Sequence, residues 1–194
     1  MSASPRLQPT LRERQKDSTH EEIVSTAMRL LRESGEMTHE AIAEQTGMSV
    51  RTVFRHFPSR DLLIAATWER LKADTGTRFP QSGAEIVQLA PEMYRRFDDH
   101  RQLIRAFLFS GIGSEVRDVG ADEGRKAFEK ALHQATKHLS PQRRKQTVAV
   151  FLALYSAPAW QLMRDRGRLS NEEAAQAVKW AMSTLLESLN NHAN

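Results

Sequence analysis

The chain has 194 residues, 40% of which are hydrophobic, so it holds enough apolar material for a folded core. It has no cysteine, which excludes disulfides, thiolate metal ligands and cysteine nucleophiles. Its formal net charge of +4 is too small for a general positive field to explain binding to nucleic acid.

The first 17 residues are rich in serine, proline, glutamine and charged side chains, and this composition predicts a flexible basic arm. Two interpretations of the arm remain open: a segment that enters the minor groove of DNA, or an unstructured tail. Acidic and basic side chains are equally numerous over residues 1–74. Any DNA affinity of this part must therefore come from a few positioned contacts rather than from bulk charge.

Cap residues predict three helices in the next stretch. Ser18 opens a capping box and predicts a helix that Gly35 closes. Thr38 caps a second helix, Gly47 ends it, and Ser49 caps a third. Two short helices joined at a glycine are typical of a helix-turn-helix.

The third helix has one apolar side and one basic side. At about 100° per residue, Val50, Val53 and Phe57 fall together and are predicted to face the core. The opposite side presents two guanidiniums and a hydroxyl, from Arg51, Thr52 and Arg55. Arginine can bind guanine through two parallel hydrogen bonds, and threonine can contact base edges. We therefore predict a DNA-binding face; a solvated helical hairpin within a bundle is the alternative.

The end of this helical group predicts a domain boundary. Pro58 ends the third helix, and Ser59 caps a fourth that runs to about Lys72. Glycine and proline then interrupt the pattern. We expect three regions. Residues 1–17 form a flexible basic arm, residues 18–74 a helix-turn-helix DNA-binding domain, and residues 84–194 a helical regulatory and dimerisation domain.

Beyond the boundary, apolar residues recur at helical spacing, and no segment alternates as a strand would. Helices are predicted at residues 84–98, 100–110, 121–138, 140–166 and 171–190. Residues 111–124 hold four glycines and are predicted to form a loop. They lack the lysine and the preceding strand that a nucleotide-binding loop requires. The predicted fold class is therefore all-α.

Aromatic side chains of the C-terminal part could line a ligand pocket, although such rings more often fill cores. Pro158 interrupts the helix predicted at residues 140–166 and is expected to leave a gap beside it. The predicted pocket residues are Phe107, Phe151, Tyr155 and Trp160. Tyr155 would supply a polar contact to a mainly apolar ligand.

The last predicted helix carries an apolar stripe with small alanines, which would allow another helix to approach closely. The stripe consists of Ala174, Val178, Ala181, Leu185 and Leu189. It predicts a dimer interface, and an ordinary core stripe is the alternative.

No catalytic or metal site is predicted. His133 and His138 do not share a helical face, and no serine elbow, zinc motif or carboxylate pair is recognisable. We therefore expect no enzymatic activity and no cofactor.

The most apolar stretch, residues 148–163, is shorter than the roughly 20 residues that cross a bilayer. The N-terminus has no signal-peptide core, so we expect a cytoplasmic protein without a membrane partner.

The stretch from about Ile23 to Leu71 resembles the TetR family of bacterial transcriptional regulators. The matching elements are Ala27, Leu30, Leu31 and Gly35; Thr38; Ile42 and Ala43; Gly47, Met48 and Ser49; Thr52, Val53 and Phe54; His56 and Phe57; and Ser59, Arg60, Asp61 and Leu62. The resemblance implies an all-helical homodimer that binds a palindromic operator in double-stranded DNA. It also implies a small-molecule inducer, repression as the commoner mode, and a dimer interface of four helices that includes the last helix.

The resemblance also implies roles for single residues. Phosphate contacts are implied for Thr38, Thr52, His56 and Arg60, and base contacts for Val50, Arg51 and Thr52. Phe54 stands where the family usually has tyrosine, so a hydroxyl contact to phosphate is absent. Glu40 is expected to stabilise the N-terminus of its helix, with a contact to cytosine as the alternative. The alternative function is a helical interaction or scaffold protein, which need not keep a basic outward face over residues 49–56.

Overall fold

The computed structural model of the protein describes residues 10–191, and within that range it contains ten helices and no strand. Four helices form the N-terminal part: α1 (Leu11–Glu33), α2 (His39–Thr46), α3 (Val50–His56) and α4 (Arg60–Thr75). Six more follow: α5 (Gly83–Asp99), α6 (Arg101–Phe109), α7 (Gly111–Thr136), α8 (Pro141–Leu154), α9 (Ala157–Asp165) and α10 (Asn171–Asn191). The predicted all-α fold class is confirmed.

Helix α1 begins two turns earlier than the sequence predicted. The Thr10 hydroxyl accepts a hydrogen bond from the Glu13 amide at 3.2 Å, and the Glu13 carboxylate accepts one from the Thr10 amide at 2.7 Å. This capping box starts the helix, whereas Ser18 lies inside it. Residues 11–17, predicted as part of a flexible arm, are therefore helical, and residues 1–9 lie outside the described range.

The first four helices enclose one apolar core. Its innermost side chains are Ile23, Leu31, Met37, Ile42, Val53 and Leu63. Burial of each such side chain stabilises the fold by about 1.5–3 kcal/mol. Leu103 and Phe107 of α6 and Val116 of α7 belong to the same core. The N-terminal helices are therefore packed directly on the C-terminal part.

A second core lies among α5, α7, α8, α9 and α10. Phe128, Phe151, Trp160 and Met182 are fully or almost fully buried there. The Tyr94 hydroxyl donates to the Leu154 carbonyl at 2.7 Å, which satisfies both polar groups at the end of α8. Helix α10 lies along α5, and two 2.9 Å contacts between the Arg95 guanidinium and the Glu172 carboxylate join these helices at the surface.

Two predictions about the C-terminal helices are wrong. Residues 111–124 are the first half of α7 rather than a loop. Their glycines do not break the helix. A Cβ added at Gly120 would overlap the indole of Trp68, so glycine at this position allows α7 and α4 to approach each other closely. The helix predicted at residues 140–166 is divided, because the Ser156 hydroxyl caps a new helix by accepting from the Ala159 amide.

Candidate DNA-binding surface and adjoining cavity

The turn between α2 and α3 has the geometry of a helix-turn-helix. Gly47 adopts a left-handed conformation, with φ of 69°, that ends α2. The Ser49 hydroxyl accepts from the Thr52 amide at 3.1 Å and lies 2.9 Å from the Thr52 hydroxyl. The Thr38 hydroxyl caps α2 by accepting from the Ala41 amide at 3.1 Å. All three caps that define the motif are those predicted.

The inner side of α3 is narrower than predicted. Val53 and Phe57 are buried, as expected, but Val50 is 38% exposed. The helix has seven residues, and its first turn projects beyond the core. Val50 therefore joins the outward side, where the family resemblance also placed it.

The outward side of α3 carries cations without partners. Arg51 and Arg55 are exposed, and neither has an ion pair or hydrogen bond among the residues that the structure describes. Thr52 lies between them and is half-buried. Two free guanidiniums on so short a helix are suited to contacts with phosphates and base edges.

Phe54 packs against its own domain on one face. Its ring stacks on that of His39 at a centroid distance of 4.1 Å, with the ring planes 6° apart. His39 is held in place because its Nε2 atom is 2.8 Å from the Phe57 carbonyl oxygen. The Phe54 side chain remains 43% exposed. It can therefore support the position of α3 and still present an apolar edge to the outside.

His56 is half-buried where α3 meets α1. Its Nδ1 atom is buried and has no hydrogen-bond partner within residues 10–191. Desolvation lowers the pKa of His56, and the positive charges of Arg55, His20 and Lys16 lower it further. The lowered pKa favours the neutral imidazole, which still has one N–H to donate.

A groove of about 660 Å³ separates the start of α1 from the end of α3. Its basic residues are Arg12 and Lys16 of α1, together with Arg55 and His56 of α3. This groove was not predictable from a flexible arm, in which Arg12 and Lys16 were expected to lie. The capping-box spacing of Thr10 and Glu13 was the signal that would have placed them on a helix.

Arg60, predicted to contact phosphate, already has a partner. Its guanidinium forms an ion pair with the Glu115 carboxylate of α7, and the Nη2 to Oε1 distance is 2.9 Å. The hydrogen bonds of this pair raise the pKa of Arg60 and lower that of Glu115. The first residue of α4 is thus attached to the C-terminal part of the molecule.

A cavity of about 280 Å³ lies between α4 and the helices of the C-terminal part. Of the four residues predicted to line a pocket, Phe107 and Tyr155 do so, while Phe151 and Trp160 are buried in the second core and do not border the cavity. The Tyr155 hydroxyl donates its proton to the Arg78 carbonyl at 2.7 Å, so it has no proton left to donate to a ligand. Burial raises the pKa of this phenol above its usual value.

Helix α4 forms one wall of the cavity and packs closely on α7. Trp68 lines the cavity, and its Nε1 donates to the Glu123 carboxylate at 3.3 Å. The Lys72 ammonium contacts the same carboxylate at 2.9 Å. Helix α4 therefore extends from Arg60, beside the helix-turn-helix, to the cavity wall at Trp68.

The predicted dimer stripe on α10 faces inward. Ala174 and Val178 are fully buried in the second core, and Leu185 and Leu189 pack against it, while Ala181 is half-buried. Ala174 and Val178 are thus used in the core, the alternative interpretation of the stripe, and a role of its other three residues in a dimer stays a prediction. The outward side of α10 instead exposes 72% of Trp180.

No group of three histidine, aspartate or glutamate side chains between residues 10 and 191 is placed to hold a metal ion. None of the helices in that range combines the length and apolarity needed to cross a bilayer.

The chain is similar to known bacterial regulators. Residues 23–67 match the sequence model described as "Bacterial regulatory proteins, tetR family". A tetR-family transcriptional regulator from Streptomyces coelicolor has a similar structure, with a TM-score of 0.57, 18% identity, and 91% of this chain and 83% of that chain covered. A TetR transcriptional regulator from Rhodococcus sp. RHA1 gives a TM-score of 0.48 at 20% identity, covering 89% of this chain and 98% of that chain. No curated protein matches.

Helices α1–α4 therefore contain a helix-turn-helix, and residues 23–67 within them match a sequence model of bacterial regulatory proteins. The model that these residues match is that of the TetR family, and the all-helical fold of the described residues is similar to that of the Streptomyces coelicolor regulator.

Proposed function

We propose that the protein is a sequence-specific transcriptional repressor whose homodimer binds a palindromic operator through α3 and releases it when a small molecule fills the cavity. The observation that carries this proposal is the outward side of α3, where Arg51 and Arg55 are exposed without a partner among the described residues. A helix in the interior of a bundle has no need of such a face. The major groove accepts a helix of this size and presents acceptors that guanidiniums bind.

The contacts divide into two kinds. Arg51 and Thr52 lie in the first turn of α3, the part of a recognition helix that meets base edges, so we assign them base contacts. Arg55 and His56 border the basic groove, so we assign them phosphate contacts together with Arg12 of α1. Thr38 and Arg60 retain the phosphate contacts that the family resemblance implies. In this scheme the phosphate contacts set the register of α3, and specificity comes from its first turn.

A palindromic operator requires a two-fold dimer, and one surface of the chain supports this. Trp180 of α10 is 72% exposed and Val150 of α8 is 48% exposed. Ala149 and Ala153 flank Val150 on α8, are also exposed, and are small enough for close helix packing. We therefore place the dimer interface on the outward sides of α8 and α10, in place of the inward stripe.

Ligand control follows from the position of α4. One end of this helix borders the cavity at Trp68 and Leu71, and the other begins at Arg60 beside α3. A ligand that favours a different position of α4 would change the separation of the two recognition helices in a dimer. Operator and ligand must then weaken each other's binding by the same factor.

A helical interaction or scaffold protein of the same fold is the alternative. It would have no use for unpaired cations on α3, which favours the regulator. The test is selection of bound duplexes from a random library with the full chain. The regulator enriches a palindrome, and the bound fraction falls steeply with salt as phosphate contacts are screened. Failure to enrich any palindrome would support the scaffold instead.

A further inference from the structure

We infer that the cavity between α4 and the C-terminal helices takes a small apolar ligand that carries one anionic group, such as a carboxylate, and that Arg117 holds this group. The inference deepens the function proposed above and depends on it only for the regulatory consequence. Binding of such a ligand can be measured without any DNA.

The walls of the cavity are largely apolar. They include Trp68, Leu71, Phe79, Met93, Phe97 and Phe107. A volume of about 280 Å³ lies just below the range for small-molecule sites, which is roughly 300–1,000 Å³. The body of the ligand is therefore small and apolar.

Two of the hydroxyls that border the cavity, those of the threonines, are engaged with the protein itself. The Thr75 hydroxyl donates to the Leu71 carbonyl at 2.7 Å. The Thr77 hydroxyl is 2.7 Å from that of Thr75 and donates to it, because the Thr75 proton is already donated to Leu71. These groups hold the end of α4, and their donors are used within the chain.

The other polar groups on the opposite wall are engaged in the same way. The Tyr155 hydroxyl donates to the Arg78 carbonyl at 2.7 Å, and the Ser156 hydroxyl donates to the Ala153 carbonyl at 2.6 Å. The remaining ring donor, Trp68 Nε1, is bound to the Glu123 carboxylate. A neutral ligand rich in hydroxyls would therefore find few free donors here.

Arg117 is the exception. It borders the cavity, and its side chain is half-buried. Among the described residues its guanidinium has one hydrogen bond, which it donates to the Phe107 carbonyl, and no ion pair. A guanidinium has five N–H donors, so most of its donors are left for a ligand. An anion would both accept these and neutralise a poorly solvated charge.

The surroundings of Arg117 favour an anion over a cation. Desolvation lowers the pKa of Arg117, which reflects the cost of keeping its charge away from water. The neighbouring Asp118 also borders the cavity, but it is exposed, so water solvates its charge. The charge in this cavity that most needs a counter-ion is therefore the positive charge of Arg117.

The test compares matched acids and alcohols on the purified full chain, with Trp68 in the cavity wall as a fluorescence reporter and calorimetry as a second readout. The probes are octanoate with octanol, and 1-naphthylacetate with 2-(1-naphthyl)ethanol. We expect one acid or both to bind at least about tenfold more tightly than the matched alcohol. Arg117→Gln should remove this preference and leave alcohol binding unchanged, while Arg125→Gln, an exposed arginine on the same helix, should retain it.

Absence of acid preference in both probe pairs would overturn the inference, as would an Arg117→Gln variant that keeps the preference. If Arg117→Gln does not fold, Arg117→Lys and the wild-type ratios still decide, because lysine keeps the charge but loses the planar fork. A chain that binds the acid but no operator would contradict the proposed function alone. A chain that binds an operator but prefers no acid would contradict the ligand class alone.

Discussion

Arg60, the first residue of α4, forms a two-pronged ion pair with Glu115 on α7. The same guanidinium stands at the position where the family resemblance implies a phosphate contact. In the proposed function, Glu115 and the operator compete for this one cation. Such competition would link the start of α4 to α7, the helix that carries Arg117.

Removal of the competitor should strengthen DNA binding. Glu115→Gln frees the Arg60 guanidinium, and we expect operator affinity to rise about two- to fivefold, the range for an exposed ion pair. Glu129→Gln, another exposed glutamate on α7, is the control and should leave affinity unchanged. Fluorescence anisotropy with a labelled operator measures both. Equal affinities for Glu115→Gln and the control would mean that the ion pair does not compete with DNA.

The contact between α4 and α7 depends on a glycine. A Cβ at Gly120 would overlap the indole of Trp68, so we expect Gly120→Ala to lower the free energy of unfolding by about 1–3 kcal/mol. A Cβ at Gly111 would meet nothing within 4 Å, which makes Gly111→Ala the matched control. Denaturant unfolding compares the two variants. A Gly120→Ala protein as stable as Gly111→Ala would show that α4 and α7 are less closely packed than described.

The stability of the protein should depend on pH through His56. Folding lowers the pKa of this imidazole below 6.5, so the unfolded chain binds its proton more tightly than the folded chain does. His56 therefore lowers the free energy of unfolding as the pH falls through the region just below 6.5. At higher pH this loss of stability is absent. Wild type should lose more stability between pH 7.5 and 5.5 than His56→Gln, as measured by denaturant unfolding. Parallel pH profiles would contradict the burial of Nδ1.

The outward side of α10 should hold the dimer together. Trp180→Glu places a charge where we propose an apolar contact, and we expect dimer affinity to fall more than about tenfold, as it does for buried tryptophans at interfaces. Phe109→Glu is the control, because Phe109 is 75% exposed but lies on α6. Light scattering across a concentration series reports both. A dimer unaffected by Trp180→Glu would place the interface elsewhere.

The features that were predictable from sequence are local ones. Thr38 and Ser49 cap their helices through hydrogen bonds to residues three positions on, and Gly47 ends a helix through its own conformation. Each needs only a few neighbouring residues, so a short window of sequence contains the cause. The family resemblance of residues 23–67 rests on the same local elements.

The features that sequence did not predict depend on distant partners. The glycines of α7 were interpreted as a loop, because nothing local reveals that Gly120 faces Trp68. The stripe through Ala174 and Val178 fits a dimer interface or a core equally well, and only the position of α5 decides between them. The engagement of Arg60 by Glu115 joins residues 55 positions apart, which no pattern in the sequence marks.

The most direct test of the central claim is to repeat the selection from random duplexes with Arg51→Ala. We expect wild type to enrich a palindrome, and Arg51→Ala to lose discrimination at one base pair in each half-site, at a cost of about 1–3 kcal/mol there. Arg32→Ala, an exposed arginine near the end of α1, should enrich the wild-type palindrome. A uniform loss of affinity with unchanged base preference in Arg51→Ala would contradict the claim that α3 reads the operator.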